Sequence, residues 1–531
     1  MINVPKKQKK VEKLLQEQTL TTNLLDLKKE VSFRGLVPLL LFVILFILVG
    51  IILDIFKQEI FSKNNPMGFY LIFAPIIILI PTIIGFLIIK GNFTTKLNAF
   101  LKGSADQNIL IMVFIYLLSG SFAQLMNIIG ASSAIAFLGF KVIPPAILVG
   151  GVFLISAIIS TAMGTSVGTI VAFGPIAFGM AAQANLNLAM VGGALLCGAM
   201  FGDDLSVISD TAIASCRTQD VTPQSRFLFN WKILIFAAII TIILFFTVTY
   251  VKYAKVNSER WIWWRALLTI LPFFVVLVVA LCGVNVFIVL ISGIFGAIIV
   301  GFSLSQFNQW VTATGDLTSS YLPSLTPARM LNGSLNPNGH FLSGLDKFLV
   351  ATDAIKNGML SMAEIAFLAL FTGGLAGLSE LSGGLEWATE KINQKIKGKK
   401  SAQFGIATLT SVADIALANN TIAIIVVGPM VKEIRQKYDL NKNKIAAFVS
   451  IFPAVFQGLI PYGAQMLILV SMANNYVTSN QTPISFLDVW KYAWYLYLLF
   501  FSAIIFISFN SLERYLTASW WKGITNIFRK K

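Results

Sequence analysis

The sequence predicts an all-α polytopic membrane protein, with about ten transmembrane helices and two re-entrant hairpins arranged as inverted repeats. Three observations carry that expectation. Of 531 residues, 56% are hydrophobic and only 12% charged, with a mean hydropathy of +0.79, a balance far outside that of a soluble domain. Apolar runs of about 20 residues, the length a helix needs to cross the hydrocarbon core, recur along the chain. Two further apolar stretches, 145–177 and 401–431, exceed one crossing and carry polar residues at their centres.

Residues 1–35 are polar and basic (Lys6, Lys7, Lys9, Lys10, Lys13, Lys28, Lys29, Arg34), so no secretory signal is expected and this tail is placed in the cytoplasm. The first membrane half, 36–302, then supplies spans near 36–53, 68–89, 108–130, 189–208, 233–251, 266–282 and 284–302, with the hairpin 145–177 between the third and fourth. A linker, 303–357, rich in Ser, Thr, Asn, Pro and Gly, reads as an external loop; His340, the only histidine, lies in it as a solvated residue. The second half, 358–510, supplies spans near 358–381, 444–470 and 486–510 around the hairpin 401–431, and a cytoplasmic tail, 511–531, closes the chain.

The second hairpin fixes the orientation. Lys391, Lys395, Lys397, Lys399 and Lys400 precede it and Lys432, Arg435, Lys437, Lys442 and Lys444 follow it, so both its ends belong in the cytoplasm. As one helix it would run about 46 Å against a core of about 30 Å, and its middle, Ala418-Asn419-Asn420-Thr421, is a poor helix centre. A hairpin with its tip at Asn419–Asn420 satisfies both facts, and irregular backbone at that depth is tolerated only beside protein or a wet cavity. Both termini are then cytoplasmic in a plasma-membrane protein. One loop dissents: Lys252, Lys255, Arg260 and Arg265 fall outside.

The net charge of +16 does not indicate nucleic acid, because the basic residues sit in tails and loops where membrane orientation accounts for them. Cys197, Cys216 and Cys282 show no metal-ligand spacing and are expected to pack. Trp261, Trp263, Trp264, Trp520 and Trp521 suit interfacial anchoring. No cofactor is expected, and the absence of a His/Cys cluster or a P-loop in the sequence argues against a membrane enzyme.

An internal repeat runs through both halves at an offset of about 253 residues, and inverted repeats with broken helices are a recurrent design of secondary transporters. Ser119-Gly120 through Gly130 matches Thr372-Gly373 through Gly383, and Thr165-Ser166 before Gly174-Pro175 matches Asn419-Asn420 before Gly428-Pro429. Gly198-Ala-Met-Phe-Gly202 parallels Gly458-Leu-Ile-Pro-Tyr-Gly463. The repeat cores are 108–211 and 358–470. Helix breaks are expected at Gly198/Gly202 and at Gly458/Pro461/Gly463. The two copies differ chemically: Asp203 and Asp204 stand where the second has Ala464 and Gln465.

Intramembrane carboxylates are costly and usually line an ion or substrate path. Gly198 to Thr211 holds three of them, Asp203, Asp204 and Asp210, with Ser206, Ser209 and Thr211, the hard oxygen ligands a small cation prefers. An ion-coupled transporter is the function this composition implies. Asp203 is the first choice for the coupling carboxylate, the alternative being a structural pairing with a backbone amide. Asp210 is the second choice, unless it only caps a helix end, while Asp204 is expected to be solvated or paired. Thr165, Ser166, Asn419, Asn420 and Thr421 at the hairpin tips either contact cargo or cap broken turns, and Asp414 either joins the site or forms a salt bridge. Glu364 and Glu380 belong to a proton path or pair across helices.

The run Gly198-x-x-Phe-Gly-Asp-x-x-Ser-x-x-Ser-Asp-Thr211 resembles the signature of the NhaC-type Na+/H+ antiporter family, and the tips at Thr165-Ser166 and Asp414…Asn419-Asn420-Thr421 are similar to that family's hairpins. Val207 stands where that signature has proline, and Ala212 where it has a second threonine. The resemblance implies inverted repeats, elevator-type movement, a homodimer, and exchange of Na+ for H+ through Asp203 and Asp210, both transported ions rather than cofactors. Relatives of the family also carry amino acids or organic acids, so a Na+- or H+-coupled carrier of such a solute is the alternative.

Overall fold

The computed structural model describes residues 31–60, 74–131, 134–135, 137–138, 144, 147–251, 262–282, 284–304, 344–477 and 483–509. The N-terminal tail to residue 30, most of the linker with His340, the 252–261 loop with Trp261, and the tail with Trp520 and Trp521 lie outside these residues.

Every regular element described is helical. Among the described residues, eight helical runs are long and apolar enough to cross a membrane, or nine if the pair Trp263–Thr269 and Leu271–Ala280, bent by 42°, is one span. That bend falls at Ile270, beside Pro272, which cannot donate to the preceding turn. The span expected over 68–89 is described only from its fifteen-residue helix, Ala74–Ile88.

In chain order the first half comprises α1 (Val37–Ile60), α2 (Ala74–Ile88), α3 (Phe93–Ser104), α4 (Gln107–Ile128), α5 (Leu148–Met163), α6 (Ser166–Gln183), α7 (Leu188–Leu205), α8 (Asp210–Gln219), α9 (Pro223–Val251), α10 (Trp263–Thr269), α11 (Leu271–Leu281) and α12 (Val286–Ser303). The second half follows with α13 (Gly344–Leu381), α14 (Gly384–Lys395), α15 (Lys399–Leu417), α16 (Asn420–Lys437), α17 (Lys442–Leu459), α18 (Ala464–Asn474), α19 (Phe486–Trp490) and α20 (Trp494–Ser508). The repeated order is plain: α4, the pair α5/α6 and the broken run α7/α8 recur as α13, the pair α15/α16 and the broken run α17/α18.

The broken runs and α6 are the most enclosed parts of the molecule, whereas α9 and α12 turn most of their surface outward. Phe236, Ile239, Ile240 and Ile243 on α9 are exposed apolar residues, as expected of a helix that meets lipid on one side and protein on the other.

Three expectations are corrected here. The linker ends earlier than residue 357, because the Ser/Thr/Asn/Pro-rich composition gives way to helix at Gly344, and Lys356 reaches back to Asp353 along its first turns at 3.9 Å. The amphipathic α3 was not expected; Asn92 caps it, accepting from Thr95 N at 2.7 Å, and Lys96 donates to the Phe86 carbonyl at 2.8 Å. Glycines 198 and 202 do not break a helix, since α7 runs through both and ends at Leu205. A Cβ at Gly198 would strike the Phe153 carbonyl and Ser156, and one at Gly202 would strike the Ala157 carbonyl. Their smallness lets α7 lie against α5, a small-x-x-x-small contact.

Candidate functional site

Each helix pair turns at two residues, and both turns are built alike. Helix α5 stops at Gly164, whose φ of 67° places it in the left-handed region, where a missing Cβ removes the strain. Thr165 is then the N-cap of α6, its hydroxyl accepting from Gly168 N at 3.3 Å. Helix α15 stops at Ala418, also left-handed at φ 49°, and Asn419 caps α16, accepting from Ile422 N at 3.0 Å. Thr165 and Asn419 therefore satisfy orphan amides. Lys399 pairs with Asp439 at 3.0 Å, and Tyr438 donates to the Ile396 carbonyl at 3.1 Å, so both ends of the α15/α16 pair meet.

The first tip faces Asp203. One carboxylate oxygen, Oδ2, accepts from the Ser166 amide at 3.1 Å and the Ser166 hydroxyl at 2.9 Å. Ser166 is the first residue of α6, so the acid sits on the free N–H groups and the positive end of that helix. This is the backbone-amide pairing set out as the alternative for Asp203. Gly164 meanwhile packs against Ile208 and Ser209, where an added Cβ would lie 3.1 Å from the Ser209 backbone.

From Ser166 a chain of side chains crosses to the other repeat. Gln465 donates to the Ser166 hydroxyl at 3.1 Å, and Gln457 donates both to Gln465 Oε1 at 3.0 Å and to the Ala418 carbonyl of the second tip at 3.3 Å. The second helix break falls at 460–463, as expected from Pro461 and Gly463. Within it, Tyr462 donates to the Ile415 carbonyl at 2.6 Å. Asp414 is fully buried on the last turn of α15, and neither of its carboxylate oxygens has a hydrogen-bond partner among the described residues. The same holds for Asn420 Oδ1 and Gln457 Oε1. A cavity lined in part by Tyr116, Thr372, Asn419 and Tyr462 lies beside this tip.

The rest of the motif is divided. Ser206 accepts from Ile208 N at 3.3 Å; Ser209 caps α8 through Ala212 N at 3.2 Å and shares a 2.7 Å hydrogen bond with Thr211. These hydroxyls hold the break between α7 and α8. Asp210 is exposed at the first turn of α8 and is not hydrogen-bonded into the Asp203 cluster. Asp204 is buried rather than solvated. Thr421 is half-buried on the first turn of α16; Glu364 is half-buried and Glu380 exposed. Of the cysteines, Cys197 and Cys216 are buried, but Cys282 is exposed.

Two residues went unnoticed in the sequence. Arg226 is fully buried near the start of α9, donating to Ser450 Oγ at 2.8 Å and to the Asp204 carbonyl at 3.5 Å. Asn230, one turn on, donates to the same carbonyl at 2.9 Å. The signal available was an arginine four residues inside an apolar helix, masked by its place in a basic loop-to-helix junction. Among the described residues no three His, Cys, Asp or Glu side chains converge as a metal cluster, so the oxygens offered to a cation are hydroxyls, amides and carbonyls around single carboxylates.

Residues 3–249 match the model of the Na+/H+ antiporter family. The likeness to that family spans just under half of the chain. The chain is 25% identical over 390 residues to the Na+/H+ antiporter NhaC of Bacillus subtilis, covering 69% of this chain and 78% of that protein. It is 21% identical over 379 residues to a malate-2H+/Na+-lactate antiporter of the same organism, covering 69% and 75%. Among solved structures, the YdaH transporter of Alcanivorax borkumensis is matched at 14% identity and a TM-score of 0.36, covering 90% of this chain and 98% of that one. These likenesses, with eight or nine helical runs among the described residues long and apolar enough to cross a membrane, are those of a multi-pass membrane protein similar to cation antiporters.

Proposed function

We propose that this protein exchanges Na+ for H+ and that Asp203 is the coupling carboxylate. The observation that carries the proposal is the placing of Asp203 on the broken tip of α6, where its partner Ser166 begins a hydrogen-bond chain to the second tip. A bare carboxylate in a dry interior is unfavourable, so the site holds either a proton or a cation and returns across the membrane in one of those two states. Ser166, Ser209 and the tip residues Thr165, Asn419, Asn420 and Thr421 supply neutral oxygens around the path, with Asp414 as a second acid in the other repeat. The α5/α6 and α15/α16 pairs enter the membrane from opposite faces as re-entrant hairpins, and the two repeat cores move together against α1, α2 and α9–α12.

The second proposal keeps the scaffold and changes the cargo to a small organic acid or amino acid. The run of amides at Gln457, Gln465, Asn419 and Asn420 favours it, being richer in hydrogen-bonding groups than a lone cation requires, and one relative is named as a malate and lactate antiporter.

Purified protein in liposomes loaded with a pH-sensitive dye separates the two. Addition of external Na+ or Li+ is expected to move protons promptly, and Asp203→Asn is expected to abolish the movement. Retained rate and pH profile in Asp203→Asn would remove Asp203 from the coupling role. Proton movement or thermal stabilisation that requires malate, lactate or an amino acid would establish the second reading.

A further inference from the structure

Arg226 is a permanent cation placed where a cation transporter has least use for one. It is fully buried, and a guanidinium keeps its charge at any physiological pH. Its Nη2 hydrogen bonds go to neutral groups, the Ser450 hydroxyl and the Asp204 carbonyl, and its Nε has no partner among the described residues. Neutral acceptors satisfy donors but leave the charge uncompensated, which is strongly unfavourable away from water.

An acid is tied to it through the backbone, Arg226 reaching the Asp204 carbonyl with no ion pair within 4.0 Å among the described residues. Asp204 is 2% exposed, and its Oδ2 has no hydrogen-bond partner among the described residues. Its backbone carbonyl is held by Arg226 and Asn230 together. The two neighbouring acids differ in what holds them: Asp203 carries the Ser166 contacts at the tip, while Asp204 is buried with its backbone carbonyl held from α9. Two carboxylates and one guanidinium leave one net negative charge.

We infer that Arg226 and Asp204 form a resident charge pair that sets the site to a net charge of minus one, so that Asp203 accepts one monovalent cation or one proton and the site disfavours divalent cations. This rests on the assignment of Asp203 as the ion-binding acid. Arg226 acts as a positioning residue, through its effect on charge, and touches no transported ion.

The test is a charge cycle in proteoliposomes: wild type, Asp204→Asn, Arg226→Gln, Arg226→Lys and the double variant Asp204→Asn/Arg226→Gln. The readout is the Na+ concentration giving half-maximal proton movement. Asp204→Asn makes the site neutral and is expected to raise that concentration about tenfold or more. Arg226→Gln makes it doubly negative and is expected to confer inhibition by Ca2+ that wild type lacks. The double variant restores minus one and is expected to return to within about threefold of wild type, a coupling that independent sites would not show. Arg226→Lys keeps the charge and is expected to stay closer to wild type than Arg226→Gln.

A wild-type affinity in Asp204→Asn would overturn the inference, and the near-isosteric change leaves the fold least disturbed. So would a folded double variant no better than Asp204→Asn. Should wild type move no protons with any cation, it is the antiport assignment that fails; Na+-dependent thermal stabilisation of the same five proteins then decides the charge pair separately, with the same order of effects expected.

Discussion

Ser166 holds three groups at once: its amide and hydroxyl both bind Asp203, and its hydroxyl oxygen accepts from Gln465. Ser166→Ala keeps the amide but leaves Asp203 and Gln465 each short of a partner, a loss of about 1–3 kcal/mol for buried polar groups. A lower melting temperature together with a weaker apparent Na+ affinity is the expected result; an unchanged affinity would detach the tip from the ion site. Ala418 offers the opposite case. A left-handed non-glycine residue costs about 1–2 kcal/mol, and glycine's greater unfolded entropy returns about 0.5–1 kcal/mol of that. Ala418→Gly is therefore expected to stabilise by up to about 1 kcal/mol, measured as a higher melting temperature. Sequence pattern located both tips, because polar residues interrupting an apolar run have few structural explanations. It did not find Arg226, since a charge at a loop-to-helix junction has many, and only packing reveals that α17 and α7 close over it.

Glycine shows at the level of elements why composition and geometry diverge. Gly198 and Gly202 have the spacing of a helix break and that of a helix contact alike, and the sequence does not say which backbone lies opposite. The packing decides: at Gly202 the obstacle is the Ala157 carbonyl, which has no rotamer to escape into. Gly202→Ala gains about 1 kcal/mol in helix propensity but incurs about 1–3 kcal/mol of overpacking. Net destabilisation is expected by thermal melting, and a stabilised Gly202→Ala protein would refute the close α5–α7 contact. A second inter-element tie lies outside the spans. Asp220, after α8, meets Lys432 at 2.7 Å and Arg435 at 3.7 Å on α16, and the hydrogen bond from Lys432 holds its carboxyl below the usual range. A folded pKa below the unfolded one contributes stability that is present above about pH 4 and lost as pH falls through the folded value. The melting temperature of Asp220→Asn is thus expected to lie below wild type at pH 7 and to converge with it in acid.

At the scale of the whole molecule, the repeat was legible because the same break chemistry occurs twice at a near-constant offset, but the handedness of that repeat is a statement about the bilayer. Its physical basis is charge. Lys399 and Asp439 bring both ends of the α15/α16 pair together, and Lys395, Lys397, Lys400, Lys432 and Lys437 crowd the same end, which the positive-inside rule assigns to the cytoplasm. No such cluster flanks α5 and α6, and the proposed inverted arrangement puts their open end on the other face. Cysteine labelling tests this directly, because Cys197 and Cys216 are buried and only Cys282 needs replacing by serine. A cysteine at Gly398, where an added Cβ meets nothing within 4 Å, is expected to react with an impermeant maleimide only from the cytoplasmic side. One at Ile147, an exposed residue at the start of α5, is expected to react only from outside. Labelling of both from one side would make the repeats parallel, and the site would then lie on a single helical bundle rather than between two opposed tips.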